Sequence, residues 1–435
     1  MKLKAKKSLD LKGNIEIPGD KSISHRALMC SAISNGNCEI LNLQRSEDVL
    51  NTLSVLKELN VEIESKEDRL IVSGRGFSGL QEPNKELFFG NSGTGIRLMT
   101  GILPKQEFSS TLTGDDSLSS RPMMRVIEPL KKMGISIDCS SNQTPPLKIF
   151  PSRNIKGINY DMPIASAQVK SAILFASLGL DEETIINEEK ITRNHTELMF
   201  DYFGANIEFS SKKIILSPTD KLLAKKLFIP GDFSSAAFFI VSCLITNNSK
   251  ILLQNVGINP TRIGLLNKLK EMGAKINILD ERNLGNEMVS DLEVETSELS
   301  SCDVNPDEVP NLIDELPVLF IASCFAKGTS SFKSLKELKH KESDRLSIMI
   351  NLLKKMGVNA ELTEDNLLIE GKGKDFMFDG FDADSYGDHR IAMALVIAGL
   401  NCNSQINISN YECINTSFPE FFSLGKSIGF NIEIS

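Results

Sequence analysis

The chain has no run of basic residues, no aromatic stacking motif, no apolar stretch long enough to cross a bilayer and only four histidines. Each shortage removes a class of function. Without clustered Lys and Arg, and at a formal charge of -9 over 435 residues, there is no electrostatic footprint for nucleic acid. Any affinity for anions must therefore be local. Four histidines without ligand spacing give no metal site. The eight cysteines (30, 38, 139, 243, 302, 324, 402, 413) are scattered, mostly within apolar segments. They read as buried free thiols in a reducing compartment and not as a disulfide or zinc framework. The lysines near the N-terminus lead into no apolar stretch, so neither a signal peptide nor a membrane span is expected, and the expected location is the cytoplasm. An apolar content of 41% is enough for substantial cores in two or three domains.

What the chain does have is a repeat. The end of a helix followed by a strand recurs six times, with Asn60, Gly134, Gly204, Gly273, Gly357 and Gly429 in equivalent places. Gly or Asn there suits a left-handed cap that stops the helix and releases a strand. Upstream of each cap, a Ser-, Asp- or Gly-rich cluster opens an apolar helix: Lys21-Ser22, Ser92-Gly93, Ser166-Ala167, Ser234-Ser235, Asp314-Glu315 and Asp388-His389. Six such starts offer six sets of unpaired N–H groups and six positive dipole ends, the elements of a strong anion site. Ile17-Pro18-Gly19-Asp20 returns three repeats later as Ile229-Pro230-Gly231-Asp232. The simplest reading is two lobes of three repeats each, joined at these Pro-Gly turns. Within the first repeat we expect strands at 15–17, 39–41, 61–63 and 70–72, the last two as a hairpin, and helices over 21–33 and from the Ser46 cap to Leu59. The fold class is α/β.

The charged residues gather at the helix starts. Lys21, Ser22 and Arg26 put an ammonium, a hydroxyl and a guanidinium at one dipole end, suited to a phosphate or carboxylate. Gly90-Asn91-Ser92-Gly93-Thr94-Gly95-x-Arg97 is a glycine-rich strand-to-helix turn, either approaching a ligand or merely tight. It lacks the spacings of nucleotide loops. Arg121 precedes Pro122 at a helix start, where a cation is out of place unless an anion is bound nearby. Lys341-Glu342-x-x-Arg345 reads as an exposed ion pair when taken alone. Asp388-His389-Arg390 opens another apolar helix. Asp314 is either an N-cap or a general base held beside cations.

Taken together, these motifs with Ser119-x-Arg121-Pro122 and Ser166-Ala167-Gln168 resemble the 5-enolpyruvylshikimate-3-phosphate synthases, in order and from Pro18 to Pro419. Gly19-Asp20-Lys21, Ser166-Ala167-Gln168-x-Lys170 and Arg193-x-His195-x-Glu197 are similar to the bacterial branch often called class II. The resemblance implies the enolpyruvyl transferase fold, two similar lobes of three βαβαββ repeats that close on the substrates, with residues 20–231 as the first lobe and 1–19 plus 232–435 as the second. It implies transfer of the enolpyruvyl group of phosphoenolpyruvate to the 5-hydroxyl of shikimate 3-phosphate. Ser22, Arg26, Ser166, Ala167, Gln168, Arg193 and Lys341 would hold shikimate 3-phosphate, together with Lys21 and Asp314. Lys21, Gly93, Arg121, Gln168, Arg345 and Arg390 would hold phosphoenolpyruvate. Asp314 would be the base, and Glu342 or Lys21 the acid. No cofactor or metal is implied, the partners are the two small substrates, and a monomer is expected.

Two features bear on alternatives. Some relatives carry a lysine near the C-terminus, and Thr416 stands in its place here. The related UDP-N-acetylglucosamine enolpyruvyl transferases typically have Lys-Asn where this chain has Lys21-Ser22, and a reactive Cys in the loop that here reads Gly114-Asp115-Asp116-Ser117-Leu118-Ser119-Ser120. A non-catalytic anion-binding protein of the same fold is the other alternative, but it would gain nothing from buried carboxylates among the cations.

Overall fold

The computed structural model describes residues 2–210 and 212–434. All six caps adopt a positive φ: Asn60 60°, Gly134 89°, Gly204 83°, Gly273 92°, Gly357 82° and Gly429 111°. Each ends an amphipathic helix: Glu47–Glu58, Met124–Lys132, His195–Tyr202, Gly264–Glu271, Arg345–Lys355 and Phe421–Ile428. The helices opened by the polar clusters are Lys21–Ala32, Gly93–Ile102, Ala167–Ser177, Phe233–Ile245, Leu316–Cys324 and His389–Gly399. Side-chain caps start five of them. Asp20 accepts from the N–H of Ile23, Ser92 from Gly95, Ser166 from Val169, Asp232 from Ser234 and Asp388 from Arg390. Each such cap satisfies an amide that has no partner within the helix. Ser46 occupies the expected N-cap position but makes no capping bond, and its hydroxyl donates to Gln44 instead.

The chain divides into two compact units. One comprises Gly19–Pro230 and Asn283–Glu287, and the other Met1–Pro18, Gly231–Arg282 and Met288–Ser435. Each contains three sheets built to one plan. A first strand runs parallel to a second, which pairs antiparallel with a third, and a fourth flanks that third strand. Asn159–Met162, Thr184–Glu188, Lys213–Leu216 and Ile207–Phe209 form one such sheet. This is the two-lobe α/β architecture of the repeat reading.

Three sheets fill their places from distant sequence. Lys226–Phe228 lies parallel to Asn35–Leu41 in one unit, and Lys12–Glu16 lies parallel to Lys250–Gly257 in the other. The strand near Ile15 thus serves the fourth repeat, and the first repeat takes its opening strand from the end of the third. In the sixth repeat Leu3–Lys6 sits between Gln405–Ser409 and Ile432–Ile434, antiparallel to both. The turns at the exchange are tied inside each unit. The Asp20 N–H donates to the Pro230 carbonyl at 2.7 Å, and the Asp232 N–H to the Pro18 carbonyl at 2.8 Å.

Each unit has its own apolar core around its polar-capped helices. All residues of Phe233–Ile245 are buried, consistent with an apolar surface all round. Close packing depends on small residues. A Cβ on Gly101 would lie 2.2 Å from the Ala172 carbonyl, so only glycine lets these two helices approach. All eight cysteines are free, and six are buried as expected, whereas Cys139 and Cys413 are half-buried. Among the described residues no helix is long and apolar enough to cross a membrane.

Candidate active site

In the Gly19–Pro230 unit, capping by Asp20 places Lys21, Ser22 and Arg26 in the first two turns of one helix. Arg26 is almost wholly buried. Its Nε donates to Thr196 Oγ1 at 2.7 Å, Nη1 to the Ser22 carbonyl at 2.8 Å and Nη2 to Ser171 Oγ at 2.8 Å. No carboxylate among the described residues forms an ion pair with it. Burial pushes the guanidinium down to about 10; Glu197 and Asp20 oppose that shift, and Arg193 adds to it. A buried cation held only by neutral oxygens is an environment that favours an arriving anion. Beneath it lies a carboxylate-bearing foundation: Lys170, wholly buried, contacts Glu188 at 2.8 Å and Glu197 at 2.6 Å. Lys21 reaches Asp48 at 3.0 Å.

The glycine-rich turn joins this group. A Cβ on Gly93 would lie 2.9 Å from Nη1 of Arg97 and 3.1 Å from Nη1 of Arg121, so two guanidiniums flank the start of the helix Gly93–Ile102. Gln168, near the start of Ala167–Ser177, accepts from Arg97 at 2.7 Å and donates to Thr94 at 3.0 Å. Arg121 is not at a helix start as expected, because the following helix begins only at Met124. It is held in the preceding loop by Asn91, and by Ser117 at 3.2 Å. His25 ties the two helices together, with Nδ1 2.8 Å from Thr52 Oγ1 and Nε2 3.3 Å from Ser92 Oγ. Burial, then Lys21 and Arg26, hold its imidazole well below the usual range, so it is neutral. Ser166 caps its helix, and Arg193 is half-buried near the start of the helix His195–Tyr202.

The other unit carries the remaining residues. Arg345 is buried, and its Nε and Nη2 grip Asp388 at 2.8 and 3.2 Å, while Nη2 also meets Glu342. Burial lowers its proton affinity, but Asp388, Glu342 and Asp314 outweigh that and raise it above the ordinary arginine value. Its Nη1 is buried without a hydrogen bond, 3.9 Å from Asp314 Oδ1. The exposed ion pair suggested by the spacing of Lys341, Glu342 and Arg345 is therefore a largely buried network. Lys341 Nζ lies 3.4 Å from the same oxygen of Asp314. Asp314 is not the N-cap of the helix Leu316–Cys324. Glu315 holds that position and makes no capping bond, which leaves the Asp314 carboxylate to the cations. Arg390 Nη1 donates to the Asp314 carbonyl at 2.7 Å and to Ser234 Oγ at 2.9 Å. The Asp314 carboxylate thus lies beside one ammonium and one guanidinium, placed as a general base held among cations would be.

Four supporting residues escape the motif reading: Asp48, Arg262, Glu315 and Asp388 as the partner of Arg345. Arg262 had a signal, because it stands before Gly273 as Arg193 stands before Gly204. Thr416, in the place of the absent lysine, donates its hydroxyl to the Cys413 carbonyl at 2.7 Å.

A family model described as EPSP synthase (3-phosphoshikimate 1-carboxyvinyltransferase) matches residues 5–424. The 3-phosphoshikimate 1-carboxyvinyltransferase of Thermoanaerobacter sp. (strain X514) is 47% identical over 422 residues, covering 97% of this chain and 99% of that one. The protein of the same name from Petrotoga mobilis is 45% identical over 431 residues, covering 98% and 99%. Among solved structures, EPSP synthase from Acinetobacter baumannii superposes with a TM-score of 0.90 at 42% identity, covering 100% of this chain and 99% of that one.

Proposed function

The chain belongs to the EPSP synthase family, and from that premise we propose that it transfers the enolpyruvyl group of phosphoenolpyruvate to the 5-hydroxyl of shikimate 3-phosphate, releasing phosphate, in aromatic amino acid biosynthesis. The observation that carries the reading is the Asp314 carboxylate set beside Lys341 and the unbonded Nη1 of Arg345. A protein that only bound anions would be weakened by that carboxylate.

Both substrates are multiply anionic and repel each other, so cations must surround them before the reacting atoms can meet. Ser22, Arg26, Ser166, Ala167, Gln168, Arg193 and Lys341 hold shikimate 3-phosphate in this reading, while Arg121, Arg345, Arg390, Lys21 and the Gly93 backbone hold phosphoenolpyruvate. Asp314 takes the 5-hydroxyl proton as that oxygen bonds to C2 of phosphoenolpyruvate. Glu342 or Lys21 protonates C3, giving a tetrahedral intermediate. Loss of a C3 proton and cleavage of the C2–O bond then expel inorganic phosphate. Residues 20–231 act as one lobe and 1–19 with 232–435 as the other, in a monomeric cytoplasmic enzyme.

Phosphate release from phosphoenolpyruvate, with either shikimate 3-phosphate or UDP-N-acetylglucosamine as acceptor, tests the proposal. Release with shikimate 3-phosphate alone is expected. Release only with the sugar nucleotide would overturn the acceptor assignment, although the loop from Gly114 to Ser120 contains no cysteine.

A further inference from the structure

Glu315 has no part in the reaction as proposed, yet it is wholly buried among charged groups. The Ser234 hydroxyl donates to its Oε1. Arg262 Nη1 donates to the same oxygen at 2.9 Å, and Arg262 Nη2 donates to Ser234 Oγ at 2.6 Å. Arg390 Nη1 donates to that Ser234 oxygen as well, at 2.9 Å. The Ser234 hydroxyl is thereby fully used, giving one hydrogen to a carboxylate and accepting from two guanidiniums.

The distance between Glu315 and Arg390 matters. Arg390 Nη1 is 3.7 Å from Glu315 Oε1, close enough for charge attraction and too far for a hydrogen bond. Among the described residues, the Nε and Nη2 of Arg390 donate to no protein group. Arg345 is the contrast, since Asp388 takes two of its donor nitrogens directly. A carboxylate in bidentate contact would compete with an anionic ligand for the guanidinium fork. One held a little farther off compensates burial of the cation and leaves the fork open.

We propose that Glu315 is a positioning residue: fixed by Ser234 and Arg262, it balances the charge of Arg390 without occupying its donors, and so keeps that guanidinium aimed at the anionic group of phosphoenolpyruvate. The inference rests on the reading of Arg390 as a phosphoenolpyruvate contact.

The wild-type chain is assayed first for phosphate release. Glu315→Gln keeps an oxygen for Ser234 and Arg262 but removes the charge. The expected result is a KM for phosphoenolpyruvate raised about tenfold, equivalent to about 1.4 kcal/mol, with the KM for shikimate 3-phosphate unchanged. In an Arg390→Gln background the same substitution should add nothing, because its effect passes through Arg390. Effects that multiply, an unchanged KM for phosphoenolpyruvate, or an equal rise in both KM values each overturn the proposal. If Glu315→Gln does not fold, Ser234→Ala cuts the same network; the same split between the two KM values supports the proposal, and its absence overturns it. If the wild type shows no turnover, the functional reading fails separately. Glu315 is then tested by the rise in Tm caused by inorganic phosphate. Loss of that rise in the variant supports positioning, and an undiminished rise overturns it.

Discussion

Arg345 and Asp388 face each other as a fork and a carboxylate, with Nε to Oδ2 at 2.8 Å and Nη2 to Oδ1 at 3.2 Å, both side chains almost fully buried. Asp388 also caps its own helix through the Arg390 amide. Asp388→Ala would leave a buried guanidinium short of its main counter-charge and remove the cap. A loss of about 3–5 kcal/mol is expected in urea unfolding. A loss of under about 1 kcal/mol would show that Glu342 and Asp314 suffice to hold Arg345.

Asp314→Asn keeps the size of the side chain and removes its basicity. Turnover should fall by roughly 10²–10⁴-fold while phosphoenolpyruvate still binds, measured as kcat and as direct binding. Near-normal kcat would remove Asp314 from the base role.

Gly93 has little room. In Gly93→Ala the new methyl would press on Nη1 of both Arg97 and Arg121, and those flexible ends must shift. The expected outcome is a KM for phosphoenolpyruvate raised roughly tenfold, with unfolding stability nearly unchanged. An unaltered KM would mean that the two guanidiniums do not meet the substrate from this side.

His25 predicts a pH dependence of stability. Its folded-state pKa lies well below 6.5, so below that pH the unfolded chain takes up a proton that the folded chain refuses. Stability attributable to this residue is complete above pH 6.5 and is lost as pH falls, at about 1.4 kcal/mol per pH unit. Comparing urea midpoints of wild type and His25→Gln across this range isolates the effect. Parallel curves would show that the imidazole protonates in place.

The cap at Gly273 gives a clean backbone test. Its φ is +92°, and a Cβ there would meet only the Glu298 carbonyl, at 3.5 Å. Gly273→Ala should therefore cost about 1 kcal/mol from conformation alone. Gly273→Asn should cost less, since Asn60 fills the equivalent cap at φ 60°. Equal losses for the two would point to packing instead.

The repeat was legible because caps and helix starts are local signals. Gly429 and Asp20 announce their roles to residues within a turn of themselves. The first and second helices of the opening repeat fall within one residue of the expected ends. The site was legible where a motif is contiguous, as in Lys21-Ser22-x-x-x-Arg26. It was not legible where charge is balanced across the fold. Asp388 lies 43 residues from Arg345, and Ser234 lies 81 from Glu315. Nothing local in sequence distinguishes a carboxylate that caps a helix from one that also grips a distant guanidinium. The same holds for Asp314, whose neighbour Glu315 took the N-cap position.

The placement of Leu3–Lys6 has a consequence for how the molecule is made. On the ribosome this strand emerges long before its neighbours, Gln405–Ser409 and Ile432–Ile434, which both lie about four hundred residues later in the order of synthesis. Until they appear, its Leu3 and Ala5 face has no lasting shelter, and its backbone edges are open to other nascent chains. Lys4 and Lys6 alternate with those apolar residues, and charged side chains on an unpaired strand discourage stray pairing. Replacing both lysines by apolar residues would therefore harm the yield of soluble chain far more than the stability of the finished fold.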